Sequence, residues 1–94
     1  MNQKNKDIRA EYYSKHCLVC NRRGCDPCHI KTFGSGGVDE YWNLMPLCRA
    51  HHTEQHQIGI ISFYKKYPTV ALYMEANGWK IEIMSSKPKL MRID

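Results

Sequence analysis

All five cysteines (Cys17, Cys20, Cys25, Cys28, Cys48) and all five histidines (His16, His29, His51, His52, His56) fall between residues 16 and 56 of a 94-residue chain. Side chains used only for packing would be scattered, so this clustering points to chemistry. A chain of this length makes one domain, spanning residues 1–94. It buries only roughly 60–70% of the surface its unfolded form exposes, so its apolar core is thin. Small domains of this kind commonly add a metal or disulfides. The polar start Met1-Asn2-Gln3-Lys4 lacks an apolar signal core, and no apolar run approaches the ~18–20 residues that cross a bilayer. The expectation is a cytoplasmic protein with no membrane contact. In that reducing setting an odd number of thiols, with Cys-x-x-Cys pairs, reads as metal or redox chemistry rather than a disulfide framework.

Structural zinc takes four ligands at tetrahedral corners, usually delivered as two short-spaced pairs. Cys17-x-x-Cys20 supplies one pair from a turn closed by Gly24, and Cys48-x-x-His51 supplies the other from a strand-to-helix junction. A rival set, Cys17, Cys20, Cys25 and Cys28, leaves Cys48 and His51 unused and pulls Cys28 out of a strand. A redox pair is the third reading, but nothing here resembles the setting of a thioredoxin motif. His52 and His56 are four apart, share one helix face and can chelate a second cation; His51, about 100° around, can face elsewhere.

The remaining pattern gives an α+β chain. A short helix is expected near Asp7–Ser14, a zinc knuckle over Cys17–Gly24, and a strand over Cys28–Phe33. Gly34-Ser35-Gly36-Gly37 makes a loop without the lysine and threonine of a phosphate cradle. Tyr41–Leu47 returns as a strand that Pro46 keeps short or at an edge. A helix follows from Arg49 to about Gln57, ended or hinged by Gly59. A second helix opens with Ile60, Ile61, Phe63 and Tyr64 and stops at Pro68. Val70, Leu72, Tyr73 and Ala76 suit a third, closed by Asn77-Gly78. Residues 79–83 alternate as a strand, and Ser85–Asp94 read as a basic tail. The division is a core over 17–59, supporting helices and a strand over 60–84, and the tail. The formal charge of +5 favours a polyanionic partner, although the basic residues are dispersed, eight of the fourteen lying in residues 1–50.

His29, Asn43 fourteen residues later, His52 nine beyond it and His56 four further together resemble the motif of the HNH, or ββα-metal, endonucleases. The upstream Cys-x-x-Cys and downstream Pro-Leu-Cys-Arg-x-His-His are similar to its zinc-stabilised branch of small phage and prophage proteins. The resemblance covers about residues 17–59. It implies a small ββα hairpin-plus-helix core with a zinc knuckle, carrying additional C-terminal helices and a short strand. It implies a hydrolase of phosphodiester bonds, most naturally in DNA, leaving 5′-phosphate and 3′-hydroxyl ends. His29 would be the general base and Asn43 would bond the hairpin loop and help to position it. His52 and His56 would hold a divalent cation (Mg2+, Mn2+ or another transition metal), apart from the structural Zn2+ of Cys17, Cys20, Cys48 and His51.

One departure stands out. Many relatives carry His or Asp immediately before the base as a third ligand, and here that residue is Cys28. Asp26 could supply an oxygen through a kink at Pro27, or Cys28 could ligate a softer metal; both stay open. A phage recombination or packaging protein is a conceivable partner. A zinc-dependent nucleic-acid-binding module without catalysis shares the charge and the CxxC…CxxH set, but gives no reason for the histidine and asparagine spacing. A metal-storage protein needs neither basic charge nor Asn43.

Overall fold

The asparagine before the first helix caps it: the Asn5 side chain accepts the Ile8 N–H at 3.1 Å, and α1 runs over Lys6–Tyr12. In the computed structural model, residues 5–32, 37–82 and 88–92 are described. Tyr12 is the buried anchor of α1, which packs on the strand that follows. That strand, β1 (Asp26–His29), pairs antiparallel with β2 (Leu44–Leu47), and a 3-10 turn at Tyr41–Asn43 leads into β2. β1 thus lies two residues before the expected Cys28–Phe33 and ends at His29. Pro27 sits inside a regular ladder.

The register explains how two prolines fit one short hairpin. Pro27 faces Pro46 directly. Opposed residues in an antiparallel ladder alternate between pairs that exchange N–H···O bonds and pairs whose polar groups point outward. Residues without N–H groups fit the second kind at no cost to the ladder. The outward Pro46 carbonyl is used instead by the Leu18 N–H, at 3.1 Å, which fastens the knuckle to β2.

Cys48 starts α2 (Arg49–Ile58), which packs across both strands and completes a ββα unit. Gly59, at φ 86°, turns the chain directly into α3 (Ile60–Lys66). A Cβ there would meet nothing within 4 Å, so glycine is favoured by backbone conformation rather than space. Pro68 is both the stop for α3 and the first residue of α4 (Pro68–Ala76), where its missing N–H is unneeded. Gly78, at φ 88°, ends α4. Phe63, Val70 and Met74 from these helices meet Cys28, Ile30, Met45 and Leu47 in the core. The Tyr73 hydroxyl donates to the Leu44 carbonyl at 2.6 Å, so the scaffold helices grip β2 by its backbone.

The C-terminal segment corrects the sequence reading. Lys89–Arg92 are not part of a tail but form β4, paired antiparallel with β3 (Trp79–Glu82). Arg92 lies 4.0 Å over the Trp42 ring and donates from Nε to the Asn77 carbonyl at 3.2 Å. The Trp79 indole N–H donates to the Trp42 carbonyl at 2.6 Å. A cation on an aromatic face and two bonds to backbone hold the hairpin against the core. Residues 1–4, Phe33 of the expected strand, Gly34-Ser35-Gly36 of the expected loop, and residues 83–87 and 93–94 lie outside the described residues. Among the described residues no helix is long and apolar enough to cross a membrane.

Candidate functional site

The knuckle is shaped by its own backbone. The Cys17 N–H donates to the Arg22 carbonyl at 2.8 Å, the Asn21 N–H returns to the Cys17 carbonyl at 2.9 Å, and Asn21 takes φ 63°. Asparagine tolerates that left-handed conformation better than most residues. The turn also aims the Val19 N–H at Cys17 Sγ, at 3.5 Å. Burial pushes the Cys17 thiol up, but N–H bonds from Cys48, Cys20 and Val19 outweigh it and bring the group down to about 7. A thiolate near neutrality is what a metal ligand must be.

Cys17, Cys20, Cys48 and His51 offer ligand atoms that all lie within 4.8 Å of one another, and together they can hold a metal ion. In a tetrahedral site with Zn–S near 2.3 Å and Zn–N near 2.0–2.1 Å, neighbouring sulfurs stand about 3.8 Å apart, and sulfur and nitrogen about 3.5 Å. Here Cys20 Sγ and Cys48 Sγ are 3.7 Å apart, and His51 Nδ1 is 3.6 Å from Cys17 Sγ and 3.2 Å from Cys48 Sγ. These are the edges of such a tetrahedron, and the donor set is consistent with zinc. The rival set fails on the same ground. Cys25 Sγ turns to the Arg22 carbonyl at 3.7 Å, and burial, reinforced by the charge of Cys17, Cys48 and Cys20, pushes its thiol up to about 11. Cys28 is fully buried, donates to Gln55 Oε1 at 3.4 Å, and is pushed up to about 12 by burial and then by Asp26. In this state the Cys28 thiol is a neutral, buried donor to Gln55.

The other face of α2 carries the second pair. His52 Nε2 and His56 Nε2 stand 3.0 Å apart, with their rings at the solvent boundary. Two imidazole nitrogens sharing one ion at roughly 2.0–2.1 Å stand about 3.0–3.4 Å apart at angles near 90–110°, so the pair is set for chelation. Asp26 meets His52 from the opposite side of the ring, with Oδ2 3.1 Å from Nδ1, and the same oxygen is 3.2 Å from Arg49 Nε. In this arrangement the carboxylate orients the ring, as ligating histidines usually require.

Asn43 is fully buried and bonds across the loop. Its Oδ1 accepts the Lys31 N–H at 2.8 Å, and its Nδ2 donates to the carbonyls of Lys31 and Val38, both at 2.9 Å. The loop closes so tightly that a Cβ on Gly37 would overlap the Lys31 carbonyl. At the end of β1, His29 Nε2 lies 2.6 Å from Oδ1 of Asp39, whose side chain is fully buried. The sequence reading did not single out Asp39, Gln55 or Arg49. A lone acidic residue in a loop carries no spacing signal, and only the folded loop brings it to the histidine. His29 meets Asp39, while His52, beside His56, meets Asp26. Their link is β1, which carries His29 three residues after Asp26.

A family model described as "Putative HNHc nuclease" matches residues 2–84. No curated protein and no solved structure matches the chain.

Proposed function

The chain belongs to the HNH nuclease family, and from that premise we propose that it is a metal-dependent endonuclease hydrolysing phosphodiester bonds in DNA. The observation that carries this reading is that one ββα unit holds both histidine groups, each oriented by its own carboxylate. His29 is the general base, taking a proton from the water that attacks phosphorus in line with the departing 3′ oxygen. His52 and His56 would hold a divalent cation, which when bound supplies neutralisation of charge on the phosphoryl oxygens and the leaving group. Asp26 holds His52 in place for that task. Asn43 fixes the loop between Lys31 and Val38, and with it the surroundings of His29.

Cys17, Cys20, Cys48 and His51 hold a separate structural zinc that joins the knuckle to the start of α2. His51 and His52 are adjacent on one helix, so the zinc also sets the helix position that the catalytic pair depends on. The division of labour into a 17–59 core and a 60–84 scaffold belongs to the same proposal. So does recruitment by a phage recombination or packaging protein.

The test is nicking of supercoiled plasmid with Mg2+, Mn2+ and Ni2+ in turn, beside His29→Ala. The wild type should cut with at least one ion, and His29→Ala should keep its zinc, fold and DNA affinity while losing ~10²–10⁴-fold in rate. A wild type inert with every ion would leave a non-catalytic nucleic-acid-binding module as the better reading.

A further inference from the structure

Asp39 is a charged side chain with no exposure, and a buried carboxylate is tolerated only when its oxygens are met by good partners. The two oxygens are used differently. Oδ2 accepts the backbone N–H of Asn5 at 2.8 Å and lies 4.0 Å from Arg9 Nε, so α1 and its cap hold that side. Oδ1 points at His29 Nε2 at 2.6 Å. A carboxylate can only accept in this contact, so the ring nitrogen facing it must carry the hydrogen.

We propose that Asp39 is a positioning residue for His29, its buried carboxylate fixing the hydrogen on Nε2 and so making Nδ1 the basic nitrogen of the ring. The inference rests on the nuclease reading above and deepens it. During attack a proton passes from water to Nδ1, the water oxygen bonds to phosphorus, and the bond to the 3′ oxygen breaks. The ring then carries N–H groups at both nitrogens, the one on Nε2 still donating to Asp39 Oδ1. The arrangement also draws α1 into the catalytic apparatus, because Asn5 and Arg9 keep Asp39 from turning away.

The decisive variant is Asp39→Asn. Its amide can still accept from the Asn5 N–H through Oδ1, but it then presents Nδ2–H to His29 Nε2. The ring hydrogen must move to Nδ1, where it blocks proton abstraction; a wrong tautomer of this sort costs on the order of 10⁴-fold in the serine-protease triad. Long-range proton–nitrogen spectra of 15N-labelled protein should show His29 as the Nε2–H tautomer in the wild type and as the Nδ1–H tautomer in Asp39→Asn. The variant should keep its zinc and its KM for plasmid, and lose about 10²–10⁴-fold in kcat. Adding Asp39→Asn to His29→Ala should slow cleavage no further.

A wild-type ring carrying its hydrogen on Nδ1 would overturn the proposal, and that measurement stands even if the variant fails to fold. So would a folded Asp39→Asn that cuts as fast as the wild type. A wild type that cuts nothing defeats the nuclease reading instead, while the spectra still decide whether Asp39 sets the tautomer.

Discussion

The two faces of α2 make a controlled comparison within one helix. His51 turns toward three cysteines, two of them buried, whereas His52 and His56 turn toward a single carboxylate and the solvent. On the first face the protein supplies a full tetrahedral donor set. On the second it brings two imidazole nitrogens together, and in the proposed nuclease water or phosphate would complete the shell of a cation held there. A closed donor set suits structure and an open one suits chemistry, and the difference lies in how many side chains converge rather than in which residue types are present. Folding and catalysis should therefore separate cleanly under mutation.

The largest effect should come from the closed face. Zinc binding in small domains is on the order of 10 kcal/mol, comparable to the whole stability of a domain this size, so Cys48→Ser should abolish cooperative melting. Chelation of the wild type should do the same. A Cys48→Ser protein that retains one zinc and a normal melting curve would break the comparison at its base.

Asn43→Ala comes next. It strands one N–H and leaves two carbonyls short of a partner in the loop, and each buried polar group left unmet costs about 1–3 kcal/mol, so a loss near 3 kcal/mol is expected by urea titration. Cleavage should fall with it, because the loop that carries Asp39 loosens. Unchanged stability would mean that water replaces the amide and that the loop does not rely on it.

On the open face, His56→Ala should melt like the wild type and need about 10–100-fold more divalent ion for half-maximal cleavage, with partial rescue at high metal. Loss of the structural zinc in this variant would show that the two faces are not separable. The smallest effect should be that of Cys25→Ala. Its thiol is buried beside the knuckle but belongs to neither donor set, so only packing and a weak bond to the Arg22 carbonyl are lost, about 1 kcal/mol, with zinc content unchanged. A drop in zinc content would enlarge the ligand set.

What was legible in the sequence follows the same division. Short-spaced pairs such as Cys17–Cys20, Cys48–His51 and His52–His56 speak through local geometry, because three- and four-residue spacings fix relative positions on a turn or helix. α2, α3 and α4 were likewise legible, since Gly59, Pro68 and Asn77-Gly78 punctuate them. Asp39 and Gln55 were not legible, because their partners His29 and Cys28 are 10 and 27 residues away and meet them only after the chain folds. β1 was misplaced because alternation over Cys28–Phe33 cannot show that Asn43 takes over the bonding of Lys31. β4 was missed because Lys89-Leu90-Met91-Arg92 looks like a charged end until Arg92 is seen against Trp42. HNH membership itself was carried by spacing, and the family match over residues 2–84 agrees.

The facing prolines have a consequence for solubility. In a sheet of two strands both strands are edges, and an edge with regular outward N–H groups invites a strand from another molecule. At the centre of this hairpin neither Pro27 nor Pro46 has an N–H to offer, and the Pro46 carbonyl is already taken by Leu18. An incoming strand would find its ladder interrupted on both sides. Even when the packing that buries β2 and the middle of β1 loosens, the hairpin that carries His29 is thus a poor template for a polymer.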